Sequence, residues 1–153
     1  MPAGDRFFVD TNVLLYEWDA SAPAKRRQAH SWINALWQAN AGALSWQVLH
    51  EFYVNATRKL HSSASQARAV VEVFTQWRPV DTTYALIQRG WYWMDSAQLS
   101  YWDALIAAAA ERRGCRWLLS EDFQAGRKLG SVTVIDPFGS RPEEFGLLDG
   151  SAL

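Results

Sequence analysis

The chain has 153 residues, with 15 basic and 16 acidic side chains for a formal net charge of −1, one cysteine and nine tryptophans. That length suits one domain with a substantial core, and near-neutrality excludes a wholly basic nucleic-acid binder, so any contact with a polyanion must come from local patches. A lone Cys115 excludes an internal disulfide and fits a reducing compartment, while the longest wholly apolar run, 104–110, is far too short to span a bilayer.

Asp5 and Arg6 precede only three apolar residues, which is no secretory signal, and the expectation is a cytoplasmic protein without membrane contact. Phe7 to Val9 reads as a short buried strand. It stops at Asp10, followed by Thr11 and Asn12. A strand-end Asp can simply turn the chain, or it can sit where open α/β folds place their chemistry, at the carboxyl ends of parallel strands. The stretch by itself leaves both readings open.

A helix follows Pro23, with Ala29, Trp32, Ile33, Leu36 and Trp37 on one face. Lys25, Arg26 and Arg27 lie near its start, the wrong end for the helix dipole; an anionic partner is one explanation, and a solvated turn is the one preferred. Ala43 and Leu44 form a second, very short strand. Ser45 caps a helix from about Trp46 to Leu60, with Glu51 among its apolar residues. Ser65 opens a helix through Trp77, Arg78-Pro79-Val80 turns the chain, and Thr82 caps a helix through Trp91. Ser100 caps Tyr101 to Arg113, which Gly114 ends. Arg116 to Leu119 is a strand ended by Ser120-Glu121-Asp122, the stretch from Phe123 to Gly130 a loop, and Val132 to Ile135 the last strand, ended by Asp136. The tail after Phe138 is acidic and expected to be loosely held. Short strands alternating with helices predict an α/β sandwich with a mainly parallel central sheet. The expected organisation is a single domain over 1–140 and an acidic tail over 141–153. The tryptophans are expected to pack helices, with Trp91 and Trp93 as candidates for an interface.

Four carboxylates stand out by position. Asp10 and Asp122 end strands, Glu51 lies on the helix after the second strand, and Asp103 lies in the first turn of the helix before the Asp122 strand. Each has an ordinary explanation. Asp103 can close a capping box with Ser100, Glu51 can hydrogen-bond Asn55 one turn on, and Asp122 can be a turn residue. A parallel sheet would bring all four to one edge, which four independent explanations would not.

Phe8-Val9-Asp10-Thr11-Asn12-Val13-Leu14 resembles the opening of a PIN domain. Val48-Leu49-His50-Glu51-Phe52 is similar to its helical glutamate block, Ser100 to Ala110 to its third acidic block, and Leu118 to Phe123 with Gly126 to its fourth; Val134 to Phe138 fits its close. The likeness runs in order from Phe7 to Phe138. Among PIN proteins the compact form resembles the VapC toxins of toxin–antitoxin pairs. The resemblance implies a three-layer α/β sandwich and a metal-dependent endoribonuclease that hydrolyses RNA. It also implies a cognate antitoxin partner and, with the Trp-rich segment from Trp91 to Trp102, a homodimer.

The chemistry of the residues agrees with that implication. Clustered carboxylates repel and take up protons unless a cation joins them, and oxygen-only donors select Mg²⁺ or Mn²⁺. His30, His50, His61 and Cys115 show no zinc-ligand spacing. On this reading Asp10 and Asp103 are the principal ligands, with Asp122 and Glu51 completing the site. Thr11, Asn12 and Ser120 orient carboxylates or a phosphate, and Arg58, Lys59, Arg127 and Lys128 are candidate phosphate contacts. Of Glu121 and Asp122, adjacent at a strand end, only one can readily join Asp10; the alignment selects Asp122, with the Ser120 hydroxyl expected to hold its carboxylate. Three other functions compete. A phosphatase with Asp10 as covalent nucleophile would want a second Asp where Asn12 stands. The remaining two are a housekeeping RNA-processing PIN nuclease and a non-catalytic PIN scaffold.

Overall fold

The computed structural model describes residues 4–149. Residues 1–3 of the expected domain and 150–153 of the expected tail lie outside the described residues. Five strands form one sheet: β1 (Phe7–Val9), β2 (Gly42–Ala43), β3 (Trp117–Leu119), β4 (Lys128–Leu129) and β5 (Val132–Ile135). Their spatial order is β2-β1-β3-β5-β4. β1, β2, β3 and β5 are parallel, and β4 alone runs antiparallel, against β5.

Both faces of the sheet are covered. Phe7, Phe8 and Val9 point alternately to opposite faces, yet none is more than 1% exposed. Unbroken apolar strands of this kind are what a parallel sheet packed on both faces requires. Six helices supply the cover: α1 (Thr11–Tyr16), α2 (Pro23–Ala39), α3 (Trp46–Arg58), α4 (Ala64–Phe74), α5 (Tyr84–Ala97) and α6 (Tyr101–Arg112). Helix α6 packs against β3 and β5 and pairs with α5, while α1 contacts α2 and α3. The run of small residues in α6, Ala107 to Ala110, is fully buried, which lets this helix lie close to the sheet. The result is the expected α/β sandwich with a mainly parallel sheet.

Several boundaries shift for local reasons. The second strand is Gly42–Ala43 rather than Ala43 and Leu44, and Gly42 is required there: a Cβ at this position would lie 2.3 Å from the Trp77 indole. Ser63, not Ser65, caps α4, in a full capping box with Gln66. The last turn of that segment tightens into a 3₁₀ helix, Thr75–Trp77. Thr83, not Thr82, caps α5, which continues past Trp91 to Ala97. Asp10 starts a short helix, α1, that the sequence pattern did not announce, and β4 lies within the expected 123–130 loop.

The described part of the tail is held rather than loose. A 3₁₀ turn, Pro142–Phe145, folds back so that the Phe145 ring packs 5.1 Å from Trp117, 5.9 Å from Trp32 and 6.5 Å from Phe7 (centroid distances). The buried Trp32 indole N–H donates to the Pro137 carbonyl at 2.9 Å, which ties α2 to the same segment. Aromatic burial overrides the acidic composition here.

Candidate active site

The site is built where β1 and β3 end side by side. The register pairs Val9 with Leu119, so the next residues, Asp10 and Ser120, are neighbours. The Asp10 N–H extends the ladder to the Leu119 carbonyl at 3.0 Å, and the Ser120 N–H does the same toward Ile135 at 3.1 Å. Asp10 is also the N-cap of α1, its Oδ1 accepting from the Thr11 N–H at 2.7 Å. The other carboxylate oxygen, Oδ2, accepts from the Ser120 hydroxyl at 2.7 Å and from the Asn12 amide at 3.4 Å. The carboxyl is nearly inaccessible at 4% exposure, and Ser120 is completely buried. Burial pushes the Asp10 carboxyl up to about 7, aided by the charges of Asp122 and Glu51 and opposed by the Ser120 and Thr11 hydrogen bonds.

Glu51 stands across the site on α3. Its Oε2 accepts from the Thr11 hydroxyl at 3.1 Å and its Oε1 from the Gln47 amide at 2.8 Å. Asn55 does not take the carboxylate, as the helix-surface explanation required; it donates to the Glu51 backbone carbonyl at 2.8 Å. Asp103, half-buried in the first turn of α6, has its own N–H bonded to the Ser100 hydroxyl at 3.2 Å. Its carboxyl is raised by burial first and then by Asp122 and Glu51, with Ser100 lowering it. Glu51 and Asp122 therefore act electrostatically on both Asp10 and Asp103, and the four acids of the sequence reading form one negative neighbourhood.

Asp122 is exposed, and its N–H donates to the Ser120 hydroxyl oxygen at 3.0 Å. The expected bond between Ser120 and the Asp122 carboxylate is replaced: the hydroxyl gives its proton to Asp10 and positions Asp122 through the backbone. Asn12 completes the lattice, donating to the Ser120 oxygen at 3.3 Å and accepting from the Glu121 N–H at 3.3 Å. Glu121 turns away from Asp10, toward Lys25 (2.6 Å) and the Tyr16 hydroxyl (2.8 Å). Asp136 is occupied by its own turn, accepting from the Phe138 N–H at 2.9 Å.

The basic candidates separate. Lys59, with Asn12, Tyr16, Asn55 and Glu121, lines a groove of about 200 Å³ beside the site. Arg58 is exposed and is not part of that groove. Arg127 and Lys128 lie outside the groove that Lys59 lines. The Arg127 guanidinium is engaged by the Ala97 carbonyl at the end of α5. Lys128 pairs with Thr133, level with Trp117 and Phe7, so it lies toward the amino ends of the parallel strands. Trp93 is no interface residue either, because it is buried and its indole N–H donates to Glu111 at 3.2 Å; Trp91 is 47% exposed.

Two contributions escaped the sequence reading. Gln47 ties Glu51 to the Trp102 carbonyl (3.2 Å), bridging α3 and α6, and carried no signal beyond its place one turn before Glu51. Lys25, read as a solvated charge, ion-pairs with Glu121 and lies over the Tyr16 and Phe138 rings. A cation at the wrong end of a helix dipole was the available clue.

The donor set is oxygen throughout. Cys115 is buried, its thiol pushed up to about 12, and His30 hydrogen-bonds Glu17. Among the described residues, no three His, Cys, Asp or Glu side chains form a ready-made metal cage. The acids nonetheless fit a hard divalent cation in charge and donor type, since burial and the charges of Asp122 and Glu51 disfavour the Asp10 anion until a cation joins it. Among the described residues, no helix is long and apolar enough to cross a membrane.

A family model described as PIN domain matches residues 7–128. The fold is similar to the crystal structure of VapC20 from Mycobacterium tuberculosis, described as a Sarcin-Ricin loop cleaving toxin. That alignment has a TM-score of 0.56 and 23% identity, and covers 76% of this chain and 91% of that one. It is also similar to VapBC2 from Rickettsia felis, solved bound to a DNA fragment from its promoter, with a TM-score of 0.57, 14% identity and coverage of 84% and 96%. A search of curated proteins finds no match.

Proposed function

Because the chain belongs to the PIN domain family, we propose that it is a metal-dependent endoribonuclease acting as the toxin of a toxin–antitoxin pair. The observation that carries the proposal is Asp10: a buried carboxylate at the end of a central strand, placed in one negative neighbourhood with Glu51, Asp103 and Asp122. Burying an acid among other acids costs stability and is characteristic of a functional site. Asp10, Asp103 and Asp122, with Glu51, are the residues that would hold Mg²⁺ or Mn²⁺. When bound, such an ion lowers the pKa of water and stabilises charge on a phosphoryl group during in-line displacement.

The chain's own groups prepare that chemistry. Ser120 and the Thr11 N–H fix both oxygens of Asp10 in place. Thr11 and Gln47 hold the two oxygens of Glu51, so the acid on α3 keeps a set orientation toward the strand ends. Lys59 borders the adjoining groove and is the cation best placed to receive a phosphate of the strand. The fold shared with VapBC2 supports a cognate antitoxin as partner, and a homodimer and a cytoplasmic location complete the proposal. The purified chain is expected to cleave structured RNA with Mg²⁺ or Mn²⁺, to stop in EDTA, and to recover when the metal is restored. Undiminished cleavage in EDTA overturns the metal-dependent reading.

A further inference from the structure

A second groove, of about 650 Å³, opens on the other side of Glu51, between α3 and α6. Its walls include Gln47, His50, Thr82, Tyr101 and Trp102, and neither Lys nor Arg lines it. Trp102 is 62% exposed, a large apolar area for a side chain one residue before Asp103. Its ring is set edge-on to Tyr101, with centroids 5.2 Å apart. Its backbone carbonyl is fixed by the Gln47 amide, which also donates to Glu51 and so keeps its own oxygen as an acceptor.

We propose that this groove is a nucleobase subsite, in which the base flanking the scissile phosphodiester stacks on the Trp102 indole. The inference rests on the ribonuclease reading above and adds where the substrate lies. The groove's volume is within the range of small-ligand sites. Without a cation and beside four carboxylates, it repels a phosphate but accepts a neutral base. Exposed aromatic rings are the usual platform for unstacked RNA bases, and the Gln47 oxygen and the His50 ring offer hydrogen bonds to a base edge. Because Glu51 is common to the groove and the acidic site, a base seated here stays continuous with the bond being cut.

The test uses the full chain and a fluorescent single-stranded RNA dodecamer. Binding is read by anisotropy in EDTA, and cleavage by initial rates in Mg²⁺. Trp102→Ala should weaken binding by roughly 5- to 150-fold and raise KM with kcat nearly unchanged, while Trp102→Phe should recover most of the loss. Equal binding by wild type and Trp102→Ala, in a wild type that cleaves RNA, overturns the subsite alone. Loss of oligomer mass in Trp102→Ala, seen by light scattering with RNA binding unaltered, also overturns it and assigns the groove to a contact between copies. A wild type that neither binds nor cleaves the dodecamer yet cleaves structured RNA overturns the subsite alone, and one that cleaves neither RNA overturns the ribonuclease reading and the subsite together.

Discussion

Ser120 Oγ lies 2.7 Å from Asp10 Oδ2, a buried contact between residues 110 apart in sequence that closes the ends of two adjacent parallel strands. Replacing Ser120 by Ala removes the donor and leaves a buried carboxyl oxygen with only the long Asn12 contact. The expected cost is about 1–3 kcal/mol of stability, with RNA cleavage down at least tenfold because Asp10 loses its orientation. Thermal melting and initial rates measure the two; a variant with unchanged rate would show that the hydroxyl serves only the fold.

Asp10 also makes a pH prediction for the metal-free protein. Its folded pKa, about 7, is above the unfolded value of 3.8. The folded state therefore binds the proton more tightly, and the stability this confers is complete below about pH 4 and lost as pH rises through 7. Asp10→Asn, which cannot ionise, should melt higher than wild type at pH 8 in EDTA, with the gap closing toward pH 4. It should show no cleavage at any pH. A variant that melts lower than wild type at pH 8 would mean that Asp10 is stabilised as the anion.

Asp122 and Glu121 should separate cleanly. Asp122 acts on both Asp10 and Asp103, whereas Glu121 is committed to Lys25 and Tyr16. Asp122→Asn is expected to lose most RNA cleavage at saturating Mg²⁺. Glu121→Gln should keep its rate within a few-fold and lose about 0–1 kcal/mol of stability, the usual worth of an exposed ion pair. The reverse outcome would move the fourth carboxylate to Glu121.

Phe145→Ala tests the folded-back tail. Phe145 packs against Trp32, Trp117 and Phe7, so truncation should cost about 2–4 kcal/mol. Trp32 and Trp117 should also become more accessible to a fluorescence quencher such as acrylamide. Wild-type stability in the variant would return the segment to the loose tail that its composition suggests.

The parts of this fold that could be read from sequence are those where one pattern has one solution. Phe7-Phe8-Val9 is apolar on both faces and can only be an interior strand, and Ser45, Ser100 and the residues after them carry cap and period together. The acids at Asp10, Glu51, Asp103 and Asp122 could be placed at one sheet edge because parallel strands end at the same side. What was missed depends on contacts distant in sequence. Two-residue β4 exists through its pairing with β5, not through its own propensity. Pro142 to Phe145 looks like solvated tail until Trp32 and Trp117 are next to it. The Ser120 hydroxyl had two acceptors within plausible reach, and only the strand register decides for Asp10. Arg127 and Lys128 look basic and available in the sequence, but the first is bound to the Ala97 carbonyl and the second is carried to the far end of the sheet.

The sheet ends at both sides on strands of two residues. Beyond β2 the chain is already met by Val80, whose N–H reaches the Leu44 carbonyl at 3.0 Å and whose carbonyl takes the Trp46 N–H at 3.1 Å. At the other side β4 runs against its neighbour and presents Lys128 to solvent. Edges so brief offer little template for an added strand. On the toxin–antitoxin reading proposed above, a silencing partner is expected to gain little by β-augmentation and to grip side-chain surfaces instead, with a helix laid in a groove or a charged side chain offered to the acids. The same brevity protects the chain from fibre-like self-association through its sheet edges.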